Sequence, residues 1–234
     1  VVIEPEAATG ILLENAPHVE IEGIEVRSAS GTAIALRDSP NSVLRRTIVR
    51  SSDVGIAATR SPGGLADHVL LSGNRQVGLQ LGADSPDWQV TNSAFARNRE
   101  VQVRVGKGSQ PEVYLENNAY DVPPGGQLGA WGADPAGDLA SWQGLSGKDA
   151  GSVEGQIEFP DAEHGDFDVA PGSLLAGAGW LAASIGPGKL RLACTPPPLA
   201  IRAAFKSGPL SIRAPGNQGP VSYTHLTLPT ILLV

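Results

Sequence analysis

Between residues 10 and 120 one pattern of short alternating strands returns about five times. Its opening strand reads GILLEN over 10–15, TAIALRD over 32–38, VGIAATR over 54–60, VGLQLGAD over 77–84 and VQVRVGKG over 101–108. Ile11, Ile34, Ile56, Leu79 and Val103 follow one another at 22 to 24 residues. A period this regular, carried by two-residue alternation and not by helical stripes, predicts a solenoid in which each coil stacks on the one before. Successive side chains of a strand point to opposite faces, so Ile11 with Leu13, Ile34 with Leu36, Ile56 with Ala58, Leu79 with Leu81 and Val103 with Val105 form two inward columns. A second strand region follows in each coil, and within it Val26, Val49, Leu71, Phe95 and Tyr120 keep the same period. Coils of 22 to 25 residues hold about three short strands with their turns. Asn74 in SGNRQ and Asn98 in ARNRE fall at equivalent turns and are expected to satisfy turn backbone groups.

The pattern fades after Asp121. Residues 122–155 are rich in Gly, Pro, Ala and Ser, and read as a long loop with one helical turn at DLASWQ, where Asp138 is placed to cap it. The following IEFPDAEHGDFDVAPGSLLAGAG supplies Phe159, Phe167, Leu174 and Leu175, which with Trp142 are expected to cover the last coil or a lateral face, because an open solenoid end exposes unpaired strands. The expected organisation is therefore coils over 1–122, a covering segment over 123–180, and a linker with the start of a β-rich module over 181–220. Residues 221–230 read VSYTHLTLPT, which resembles the conceptual translation of a transposon-end sequencing adapter, so 221–234 are set aside as an artefact. With no methionine and a strand-like VVIEP at the start, the coils are expected to be the C-terminal part of a longer solenoid.

This arrangement resembles the right-handed parallel β-helix of the pectin-lyase-like superfamily, an all-β fold. The covering segment, running from SWQ through SGKD and IEFPD to GDFDVAPGSLLAGAG, is similar to the one that closes many bacterial polysaccharide lyases and related glycosidases of that fold. Leucine-rich repeats share the period but not the Leu and Asn framework. The resemblance implies a secreted or cell-surface, carbohydrate-active bacterial protein acting as a monomer on an extended polysaccharide. That polymer is acidic or plant-type, and the chemistry a lyase or a glycoside hydrolase; a non-catalytic glycan-binding or surface-display module is the alternative. Lyases of this fold use Lys or Arg as base and acidic residues that bind calcium.

Composition narrows the choice only slightly. Net charge is −7 with 17 scattered Lys and Arg, which argues against nucleic acid as partner. No run approaches the ~20 apolar residues of a membrane span. The single cysteine, Cys194, has no zinc-ligand spacing and reads as a small apolar side chain. No phosphate loop, dinucleotide fingerprint, GxSxG or HExxH is present, so no cofactor is identified. Asp38, Asp53, Asp84 and Asp87 lie near turns and leave calcium open, but none belongs to an EF-hand or a GGxGxD array and no metal is assigned.

Candidate site residues come from the outward positions. Glu22, Arg45, His68 and Asn92, spaced 23 to 24 apart, are expected to stack into a polar column. Glu22, Arg45 and His68 are the candidate catalytic groups, since an acid, a guanidinium and an imidazole can neutralise a uronate and take its C5 proton, or protonate a glycosidic oxygen. A solvated ladder of complementary charges is the competing reading. Candidate substrate-binding residues are Arg104 and Lys107, which make the last coils locally basic, Glu14 and Arg37, lateral neighbours able to form a surface ion pair, and Trp88. The Trp88 ring either stacks on a sugar or packs under its own turn.

Overall fold

The computed structural model describes residues 1–162, 166–179 and 186–187 and the backbone of 200–203. Cys194 and residues 221–234 lie outside these, as does most of the expected linker and β-rich start at 181–220. The described chain winds into a parallel β-solenoid of about six coils, built on three sheets that each coil visits in turn. The first sheet stacks Ile11–Glu14, Thr32–Arg37, Val54–Thr59, Val77–Leu81, Val101–Val105 and Gln127–Trp131, all parallel. The second stacks Val19–Glu22, Val43–Arg45, Leu65–Asp67, Gln89–Thr91 and Tyr114–Glu116, and Ala200–Ala203 pairs antiparallel with its first strand. The third runs from Val2–Ile3 through Glu25–Arg27, Ile48–Arg50, Leu70–Ser72, Ala94–Ala96 and Ala119–Asp121 to Val153–Glu154.

The expected registers are those of the structure. Ile11, Ile34, Ile56, Leu79 and Val103 are mutual partners along the first sheet. Val26, Val49, Leu71, Phe95 and Tyr120 are partners along the third. The second strand region of the sequence divides into two strands, the first of which adds a third inward column, Ile21, Leu44, Ala66, Val90 and Leu115. All three columns enter one buried apolar core, where Phe95 stacks on Tyr120 at 5.2 Å. Truncating one of these side chains to alanine is expected to cost ~2–5 kcal/mol.

Corners are sharp because single residues adopt the left-handed conformation. Asn15, Asp38, Arg60 and Asp84 do so after the first-sheet strand, Gly23, Arg46, His68, Asn92 and Asn117 after the second, and Ser28, Ser51, Gly73 and Arg97 after the third. Inside each corner runs a ladder of small polar side chains that accept backbone N–H groups from the coil before. Ser39, Ser61, Ser85 and Ser109 accept at 2.9–3.1 Å from Ala16, Ser39, Ser61 and Ser85. Ser93, Asn118 and Ser152 form the second ladder. Ser52, Asn74 and Asn98 form the third, as expected for the two asparagines. A buried N–H without a partner costs ~1–3 kcal/mol, so these ladders let the chain turn inside a dry core.

A sixth coil stands where the sequence reads as loop. Gln127–Trp131 extends the first sheet, and Asp134–Ala136 folds back on it antiparallel. Gly129 takes the inward position below Val103, and a side chain there would collide with the Trp142 ring. Trp142 comes from the helix Leu139–Ser146, which replaces the second-sheet strand of this coil and closes the end. Asp138 caps the helix through a capping box with Ser141, as its position in the sequence suggests, and Gly147 ends it in the left-handed conformation.

Beneath the helix lies a fully buried carboxylate, Asp149. It accepts from Trp142 Nε1 at 2.7 Å, Tyr120 Oη at 2.9 Å, Asn118 Nδ2 at 3.0 Å and Ser152 Oγ at 2.5 Å. Burial pushes its pKa up, against the pull of the hydrogen bonds from Ser152, Asn118, Trp142 and Tyr120. Burial and the neighbouring Asp149 charge also push the Tyr120 hydroxyl well above its ordinary value.

Candidate functional site

The three lateral faces differ in what their outward side chains meet. On the third sheet, Ile48, Leu70, Ala94 and Ala119 point outward and are buried beneath Ile157, Phe167 and Leu175, with Phe159 and Leu174 packed alongside. Arg50 reaches from the same face to Glu25 at 2.7 Å and sits 5.8 Å above the Phe167 ring. The covering segment thus closes this face, using the aromatic and leucine contacts its sequence offers, while Trp142 serves the solenoid end.

The first-sheet face carries the outward positions Leu12, Ala35, Ala57, Gln80 and Arg104, in register. Arg104 donates to Gln80 at 3.4 Å. Glu14 stands opposite Arg37, but no ion pair joins them among the described residues. Lys107 lies exposed in the 3-10 turn Lys107–Ser109. Two of the four turn acids expected to leave calcium open are engaged with arginines: Asp38 receives Arg60 in a two-point ion pair at 2.7 Å, and Asp53 receives Arg75. Among the described residues no three His, Cys, Asp or Glu side chains gather as metal ligands.

Trp88 corrects one expectation. Its ring is 0% exposed within the core, its Nε1 donates to the Ser61 carbonyl at 2.8 Å, and it occupies the space that a side chain at Gly64 would need. It packs under its turn and offers no surface to a sugar.

The second-sheet face holds the polar column, with a register that differs from the expected one. Glu22 and Arg45 are opposite each other, and the column continues through Asp67, Thr91 and Glu116. His68 and Asn92 lie one residue further on, at the left-handed corner with φ of 53° and 51°. Equal spacing could not reveal this, because the corner residue repeats with the same period as the strand residue before it. The Arg45 guanidinium lies 3.3 Å from Glu20, and that of Arg46 lies 3.8 Å from Glu22.

The displaced register brings together a group that the sequence did not single out. Asp67 Oδ1 accepts from Thr91 Oγ1 at 3.1 Å and from Asn92 Nδ2 at 3.0 Å, and it lies 3.0 Å from His68 Nδ1. Burial acts to raise the Asp67 pKa, but the hydrogen bonds from His68, Asn92 and Thr91 and the His68 charge outweigh it and hold the carboxyl at about 2. The two side chains remain 25% and 30% exposed, enough to be reached from outside. With Nδ1 held against a carboxylate that stays ionised, Nε2 is the imidazole nitrogen left to accept a proton. A carboxylate-oriented imidazole of this kind has the geometry a general base requires, and the guanidinium of Arg45 lies in the adjacent coil.

A family model for the right handed beta helix region matches residues 2–136. No curated protein and no solved structure gives a significant match.

Proposed function

The chain belongs to the right-handed beta helix family, and from that premise we propose that it is a carbohydrate-active protein that binds an extended polysaccharide on its second-sheet face, with His68 as general base. The observation that carries this reading is the Asp67–His68 pair, whose side chains stay partly exposed among the described residues, with the Gly186 N–H bonded to the Asn92 carbonyl beside them. Asp67 orients the imidazole, Thr91 and Asn92 hold Asp67, and Nε2 takes a proton from the sugar. If the polymer contains uronate, Arg45 neutralises the carboxyl group, the proton at C5 passes to Nε2, the electron pair left behind forms a double bond between C4 and C5, and the bond between C4 and the glycosidic oxygen breaks, the oxygen leaving with a proton from solvent. If the polymer is neutral, Nε2 takes a proton from a water whose oxygen bonds to the anomeric carbon, and the bond from that carbon to the glycosidic oxygen breaks, the oxygen leaving with a proton from solvent. The role carries with it a secreted or cell-surface location.

The paired state of Arg45 and Arg46 with Glu20 and Glu22 favours a second reading, a non-catalytic glycan-binding face. Incubation with polygalacturonate, alginate, xylan and dextran separates the two. Ultraviolet absorbance of an unsaturated uronate product identifies a lyase, and new reducing ends without that absorbance identify a hydrolase. Retention of a polymer without either product identifies a binding module, and neither retention nor product removes the carbohydrate reading.

A further inference from the structure

The outward column beside the polar one runs Glu20, Val43, Leu65, Gln89 and Tyr114. Tyr114 is 41% exposed, a large aromatic side chain facing solvent on the same sheet as the dyad. It is two coils from Leu65 in this register, and coils pair at ~4.8 Å, so its ring stands ~10 Å further along the solenoid axis than the dyad. The hydroxyl of Tyr114 and the side-chain amide of exposed Gln89 make no hydrogen bond with the described residues. In the neighbouring column Thr91 is bound to Asp67, and Glu116 receives the Gly151 N–H. The polar groups beside the dyad are thus occupied, while the Tyr114 hydroxyl and the Gln89 amide have no partner among the described residues.

We propose that Tyr114 and Gln89 form a subsite for one sugar ring of a polysaccharide strand lying along the solenoid axis, with the scissile or recognised unit at His68. A sugar presents C–H bonds on one face and hydroxyls around its rim. An exposed phenol ring meets the first, and its hydroxyl with a free amide meets the second. Tyr114 is an outward residue of a terminal strand, so changing it leaves the core columns intact. The proposal rests on the carbohydrate reading above, and the test keeps their failures apart.

Affinity electrophoresis is run in gels containing polygalacturonate, alginate, xylan or dextran, with the full chain and with Tyr114→Ala and Tyr114→Phe, each checked for an unchanged circular dichroism spectrum. For the polymer that retards the parent protein, Tyr114→Ala is expected to weaken binding roughly tenfold, as loss of one aromatic contact would. Tyr114→Phe should stay within about twofold, since the ring carries most of the contact. If Tyr114→Ala is retarded as strongly as the parent, the subsite is overturned and the carbohydrate reading stands. If no polymer retards the parent and none is cleaved, both fall.

Discussion

Two carboxylates in this protein collect similar hydrogen bonds and come to opposite ends. Asp149, under the closing helix, is fully buried, and its two oxygens are shared among Trp142, Tyr120, Asn118 and Ser152. Asp67, on the second-sheet face, gathers His68, Thr91 and Asn92 on one oxygen and stays partly exposed among the described residues. The first ties a helix, two coils and a returning strand into one closed end. The second fixes the orientation of an imidazole that a ligand can reach. What separates a keystone from a candidate site is therefore the surroundings: burial pushes the Asp149 pKa up, and at Asp67 the partners outweigh burial and push it down.

Trp142→Ala and Asp149→Ala are expected to break the closed end most severely. The tryptophan change empties the space that Gly129 leaves for the ring and should lower stability by ~3–5 kcal/mol. The aspartate change strands four buried donors and should cost ~2–4 kcal/mol. Urea unfolding followed by fluorescence measures both, and a shift below 1 kcal/mol for either would deny the keystone role.

At the Asp67–His68 pair the expected effect falls on turnover. His68→Asn retains a residue at ease in the left-handed corner, so stability should stay within ~0.5 kcal/mol. The rate of polysaccharide cleavage should drop roughly 100- to 10,000-fold. Equal loss of stability at His68 and at Asp149 would erase the distinction drawn between the two sites.

The acid limb of stability sharpens the comparison further, because the two carboxylates bend it in opposite senses. Asp67 has a folded pKa of about 2 against an ordinary 3.8, so its contribution is present above that ordinary value and is lost as pH falls toward 2. Asp149 has a raised folded pKa, so its contribution is present below the ordinary value and is lost as pH rises through the folded one. Asp67→Asn should therefore flatten the fall in stability between about pH 4 and 2, and Asp149→Asn should remove a loss of stability that sets in as pH rises above 3.8. Melting temperatures across both ranges provide the check.

The same contrast explains how much of the molecule was legible in its residues. The inward columns were legible because Ile34, Ile56, Leu79 and Val103 repeat with both the strand period and the coil period. Asn74 and Asn98, and Asp138 before the helix, were legible because few roles suit those residues in those places. The sixth coil was hidden because its core position is Gly129, filled by a tryptophan from 13 residues further along the chain. The serine ladder at Ser39, Ser61, Ser85 and Ser109 does keep the coil period, and that spacing was the signal available for it. Trp88 carried no mark of its burial beyond Gly64 beside it in space. At the candidate site His68 and Arg45 were recognisable as residue types. Asp67 was passed over because a strand position and the corner that follows it share one period.

The orientation of the His68 ring is the point on which the functional account turns, and it can be measured before any polymer is identified. Nitrogen NMR of the imidazole in mildly alkaline buffer distinguishes the two neutral tautomers. The predicted result is a proton on Nδ1 and a bare Nε2 in the parent protein, relaxing to a mixture of tautomers in Asp67→Asn. A parent protein with the proton on Nε2, or a tautomer ratio unchanged by Asp67→Asn, would contradict the assignment of Asp67–His68 as a carboxylate-oriented base.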